Sequence, residues 1–200
     1  MSVGVYGFYK DNVLKIIDYK KEGNPKSLGY NLFRTLYYSW PNEILGIFNM
    51  LNPVKASDKP SEEDVQKIIN IFGEGSYSFN KKNLTYYDLL SELQDDIFQY
   101  FTTIRHSGLN IYLDAVDKIK KQGFCDWVYI YNLNNNNIEV WFSKKEAIEQ
   151  KTFEDSYQYL NEYFIQLKSM LHNPADLGRN QFDLSGLDDA YTKSLVYLGV

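Results

Sequence analysis

Val3-Gly4-Val5-Tyr6-Gly7-Phe8-Tyr9-Lys10, a break at Asp11-Asn12 and the return Val13-Leu14-Lys15-Ile16-Ile17-Asp18-Tyr19 read as a β-hairpin. β-Branched and aromatic residues fill both arms, and Asp-Asn supplies the turn chemistry. A second stretch has the same character: Trp127-Val128-Tyr129-Ile130-Tyr131-Asn132-Leu133, a turn through Asn134 to Asn137, and the return Ile138-Glu139-Val140-Trp141-Phe142. A lone hairpin is marginal in water and needs a partner sheet or a cover. The two together predict an α+β fold, with an antiparallel sheet built from the N-terminal and C-terminal-half hairpins and covered by several helices. We expect one domain over residues 1–200, with 175–200 a loosely packed C-terminal arm.

Helical periodicity fills the space between the hairpins. Leu28, Leu32, Phe33 and Leu36 put an apolar stripe on a helix from Ser27 to Ser39, which Trp40-Pro41 ends. A short helix follows over Asn42–Met50, and the polar, proline-containing Asn52–Pro60 reads as a loop. Ser61 with Asp64 and Thr85 with Asp88 are capping-box spacings. The second opens one long helix through Ile104, stopped at Ser107-Gly108. Leu109–Gln122 reads as a shorter helix stopped by Gly123. Thr152 and Asp155 open a last long helix with Phe153, Tyr157, Leu160, Phe164, Leu167 and Leu171 as its stripe, ended by Asn173-Pro174.

Composition bounds the function classes. With 44% hydrophobic residues in 200, the chain can bury a core without disulfide staples. The single cysteine, Cys125, fits a reducing, cytoplasmic setting. No apolar run is long enough to span a bilayer, so no membrane is expected. The net charge of −5 and only three arginines argue against nucleic acid as a partner, because phosphate neutralisation needs clustered cations. The 18 Tyr, 12 Phe and 3 Trp are abundant enough to serve both a core and a recognition surface. A codon bias toward Tyr, Asn, Lys and Ile is the more ordinary reading of that abundance, ahead of a recognition role.

Gly4, Tyr6-Gly7-Phe8-Tyr9-Lys10-Asp11, Tyr19 and Glu22-Gly23-Asn24-Pro25-Lys26-Ser27-Leu28-Gly29 carry a resemblance. The segment resembles the opening of a scattered group of bacterial and phage proteins. Those begin strand-turn-strand and continue with an acidic-Gly-aromatic-Pro-x-x-x-Gly element leading into a helix. The likeness covers roughly the first fifth of the chain. Where that group has His-Trp before the acidic residue and Tyr before the proline, this chain has Lys20, Lys21 and Asn24. The resemblance implies no activity, but it is compatible with a phage or mobile-element protein that modulates a host system, host defence included.

Several residues invite chemistry. Gly23 and the helix start after it, with Lys20, Lys21 and Lys26 nearby, could bind an anion through free amides. Gly23 could equally supply a positive φ, Pro25 the first helical position and Gly29 a close helix–sheet approach. Ser2, exposed by loss of Met1, would suit an N-terminal-nucleophile hydrolase activated by its own amine. Cys125 beside Phe124 and Trp127 reads as a small buried hydrophobe. His106 and His172 fall at expected helix C-termini. No His/Cys pairing makes a zinc site, and Asp183, Asp188 and Asp189 lack the ligand alternation of a calcium loop, so no metal or cofactor is expected.

The second hairpin offers a contact face. Trp127, Tyr129 and Tyr131 share one side and Trp141 follows on the returning arm. Such a face is either buried beneath helices or meets a partner. The expectation is therefore a non-enzymatic interaction protein, with Asp95 and Asp96 steering the face to a basic protein. A small hydrolase using Ser2, and a homodimer joined through exposed hairpin edges, are the alternatives.

Overall fold

The computed structural model describes residues 2–73, 83–120, 124–144, 152–172 and 185–198. Both hairpins form, the second with Leu133 in its turn and Asn137 already in its returning strand. β1 (Gly4–Lys10) and β2 (Val13–Tyr19) pair antiparallel, from Gly4 opposite Tyr19 to Lys10 opposite Val13. Asp11 and Asn12 take φ of 47° and 65°, the left-handed pair that a two-residue turn between twisted strands requires. β5 (Trp127–Asn132) and β6 (Asn137–Ser143) pair likewise.

The way the hairpins join corrects the expectation of a wholly antiparallel sheet. β1 lies parallel to β5, with Gly4 opposite Trp127 and Tyr9 opposite Asn132. The sheet is mixed, in the order β2-β1-β5-β6-β7. A parallel pair needs a long crossover, and the helical middle of the chain provides it. β1 and β5 are central and buried on both faces, which is why they are apolar almost without interruption.

Two apolar layers flank the sheet. On one face Tyr6, Phe8, Tyr19, Trp127, Tyr129 and Tyr131 pack beneath α1 (Tyr30–Tyr37), α2 (Pro41–Met50), α3 (Glu62–Phe72), α4 (Tyr86–Asp95) and α5 (Ile97–Ser107). On the other, Val5, Ile16, Val128, Ile130 and Trp141 meet α6 (Val116–Ile119) and α7 (Ser156–Tyr163). A two-stranded parallel ladder joins β3 (Asn52–Val54), within the expected loop, to β4 (Ile111–Leu113), within the expected Leu109–Gln122 helix. In the C-terminal arm α8 (Ser185–Leu198) packs on β7 (Phe164–Leu171), with Leu187 and Ala190 in the core. The arm is thus partly built into the fold. The expected stops at Gly123 and Asn173-Pro174 lie outside the described residues.

Two helix readings need correction. The expected helix through Leu171 stops at Tyr163, and its second half is the edge strand β7. The ladder slips between Val140 and Trp141, so one extra residue on β7 breaks the two-residue alternation. Phe164 and Leu167 then fall three apart on buried positions and imitate a helical stripe. The expected long helix from Thr85 is also two helices. Its capping box forms at Thr85 and Asp88, but Asp96 leaves helical geometry and caps α5 by accepting the Gln99 N–H at 3.1 Å. Asp96 followed three residues later by Gln99 is itself a capping spacing.

Candidate functional site

The break between α4 and α5 opens a cleft of about 330 Å³. Lys21, Asn31, Arg34, Thr35, Asp95, Asp96, Ile97 and Phe98 line it. Asp95 is only 7% exposed, and its Oδ1 accepts the Lys20 backbone N–H at 2.7 Å. Burial pushes the Asp95 carboxyl above its ordinary value, partly offset by that N–H bond and by the charges of Lys21 and Lys20. Asp96 is exposed and spends one oxygen on its cap. Lys21 and Arg34 close no hydrogen bond or ion pair among the described residues.

An aromatic ridge borders the cleft. Phe98, in the first turn of α5, meets Tyr38 edge-to-face with ring centroids 6.5 Å apart. Tyr38 in turn meets Tyr37 at 4.9 Å. Both Tyr38 and Phe98 stay more than half exposed, at 63% and 51%. Arg34 stands one helical turn before Tyr38, and the exposed Trp40 follows it as the first residue before α2. Exposed single aromatics are ordinary, but two packed on each other beside an arginine form a cluster.

The structure thus draws together residues that the sequence assigned to separate features. Lys21, from the expected anion site, faces Asp95 and Asp96, from the expected steering pair. Arg34 and Tyr38 were not foreseen, and Phe98, which the long-helix expectation places in its apolar stripe, is half exposed instead. The signal available was polar neighbours one turn away, Arg34 before Tyr38 and Gln94, Asp95 and Thr102 around Phe98.

The anion site at the first helix start does not assemble. Gly23 donates its N–H to Ser2 O at 2.9 Å, and its carbonyl accepts the Tyr129 hydroxyl at 3.1 Å. Its φ is not positive; the missing Cβ serves contact, since one would lie 2.5 Å from Gly4 Cα. Asn24 caps the turn by accepting the Ser27 N–H, with Pro25 at its first position. Lys20 Nζ sits over the Tyr87 ring at 3.9 Å and Lys26 Nζ over Tyr191 at 4.7 Å, so the three lysines point to three different places.

The aromatic hairpin face is also corrected. Trp127, Tyr129 and Tyr131 are all buried, as is Trp141 on the opposite face, so none is open to a partner. Tyr131 hydrogen-bonds His172 Nδ1 at 2.8 Å, and the Trp141 indole N–H donates to Glu139 Oε2 at 3.1 Å. Glu139 is buried and also accepts from Asn132 at 2.9 Å and Tyr157 at 2.6 Å. Three donors satisfy a carboxylate that no cation neutralises among the described residues. His172 follows β7 instead of ending a helix, and burial lowers its pKa.

Ser2 donates both its N–H, at 2.8 Å, and its hydroxyl to Glu22 Oε1. These bonds hold the Glu22 carboxyl below its ordinary value. An α-amine released at Ser2 would sit on that carboxylate as an ammonium, the reverse of the free base a nucleophilic serine needs. The Cys125 thiol donates to Trp127 O at 3.1 Å, and burial pushes it up to about 12. Among the described residues no cluster of His, Cys, Asp or Glu could hold a metal, and no helix is long and apolar enough to cross a membrane. Asp183 lies outside the described residues. No family model, no curated protein and no solved structure matches this chain.

Proposed function

We propose that the protein is a non-enzymatic interaction protein that docks a second, basic protein on the Tyr38–Phe98 ridge. The observation that carries this reading is the exposed edge-to-face pair itself, with Arg34 beside it. Tyr, Phe, Trp and Arg are the residues on which binding energy concentrates when a partner excludes water from them. A chain of net charge −5 attracts a basic partner, and Asp95 and Asp96 next to the ridge orient it. Modulation of a host system by such docking belongs to the same proposal, and its support is the resemblance of residues 4–29.

Site-specific photo-crosslinking tests the docking surface. A photoreactive phenylalanine analogue replaces Phe98 in one variant and exposed Val196 of α8 in another. One discrete adduct with a basic protein from position 98, absent from position 196, is expected. Adducts with a second copy of the chain would redirect the surface to self-association. Identical adduct patterns from the two positions would overturn the docking surface.

A further inference from the structure

Four charged side chains line the cleft between α4 and α5, two of each sign, without closing an ion pair among themselves. Lys21, Arg34 and Asp96 are exposed, where an ion pair among them gains little, so their charges stay available to a ligand, while Asp95 is buried. Here Asp95 and Asp96 each commit one oxygen to a backbone N–H, of Lys20 and Gln99 respectively. Their second oxygens receive no hydrogen bond among the described residues, and Lys21 and Arg34 keep their donors free. Asp95 is only 7% exposed, yet its second oxygen still reaches solvent. The cleft also ends on Ile97 and Phe98, the first residues of α5, where backbone amides have no partner within the helix.

Neither a simple cation nor a simple anion satisfies such a lining, since each would meet two like charges. A molecule carrying both signs completes every group at once. We propose that the cleft binds a small zwitterion of the amino-acid or short-peptide class, its carboxylate held by Arg34 and Lys21 and its ammonium by Asp95 and Asp96. The cleft volume of about 330 Å³ falls at the small end of ligand sites, which suits that class. Arg34 supplies the fork that matches a carboxylate, and Phe98 offers a wall for an aliphatic stem.

The test uses the full chain and needs no protein partner, so its failure leaves the docking proposal standing. Amide signals of the labelled protein are followed by NMR during titration with glycine, glutamate, arginine and glycylglycine, and with methylammonium chloride and sodium acetate at matched ionic strength. Saturable shifts at Lys21, Arg34 and Asp96–Phe98 with at least one zwitterion, and none with the two half-ligands, are expected. Arg34→Gln and Asp96→Asn should each weaken that binding about tenfold; both residues are exposed, and asparagine still caps a helix. No saturation by any zwitterion overturns the proposal. Equal saturation by acetate or by methylammonium alone also overturns it, in favour of a simple ion site.

Discussion

Tyr38, the residue that ends α1, and Phe98, in the first turn of α5, meet ring edge to ring face 6.5 Å apart, yet each keeps more than half its surface in water. Such a pair contributes little to folding, because little apolar area leaves water when it forms. Tyr38→Ala and Phe98→Ala should each change unfolding free energy by no more than about 0.5 kcal/mol. Urea denaturation checks this; a loss of about 2 kcal/mol from either would make the ridge part of the core.

Asp95 gives a pH dependence with a definite sign. Its carboxyl is raised in the folded state, chiefly by burial, so the protonated form favours folding. That contribution is present below the ordinary carboxylate range and is lost as pH rises through the raised folded value. Asp95→Asn keeps an oxygen for the Lys20 N–H and removes the charge. The variant should match the wild type near pH 3 and be the more stable near pH 7, by about 1 kcal/mol at most. Urea midpoints across that range decide it. Asp114 is raised for the same leading reason, so a residual slope of the same sign should remain in the variant.

Gly23 and Gly46 should respond oppositely to alanine. A Cβ on Gly23 would fall 2.3 Å from Gly4 N and 2.5 Å from Gly4 Cα, against backbone that cannot swing away. Gly23→Ala should cost about 1–3 kcal/mol or more. Gly46 lies inside α2 with nothing within 4 Å of a built Cβ. Gly46→Ala should gain about 0.5–1 kcal/mol from helix propensity. Paired denaturation curves test both, and equal effects would contradict the contact.

The Cys125 thiol, buried and pushed up to about 12, should resist alkylation at pH 8 in the folded protein. Iodoacetamide labelling read by intact mass should be at least about a hundredfold slower than in urea-unfolded protein, since only the thiolate reacts. Rapid native labelling would mean that the β5 end of the sheet opens readily.

Where alternation and turn chemistry agreed, the fold was legible in the residues. Asp11-Asn12 and the apolar arms of both hairpins led directly to four strands of the sheet. Their parallel junction was not legible, because nothing in β1 or β5 encodes which neighbour completes a doubly buried strand. β7 was hidden by its bulge, which turned a strand's apolar set into helical spacing. The cleft was hidden differently: a helical stripe from Leu89 to Ile104 continues through Asp96 without interruption, and only the Asp96–Gln99 cap marks the break. The site residues share no sequence neighbourhood, since Lys21, Arg34, Asp95 and Phe98 meet only after the first helix packs against α5. The aromatic hairpin face misled because Tyr serves core and surface alike, and here Tyr129 and Tyr131 are core.

The most direct test of the docking claim is the affinity of the crosslinked partner, once purified, for wild type and for the Tyr38→Ala/Phe98→Ala double variant by calorimetry. The account predicts at least a thirtyfold weaker Kd for the variant, the scale of about 2 kcal/mol for a hot-spot pair, with an unchanged urea midpoint. Equal affinity for the two proteins would contradict it.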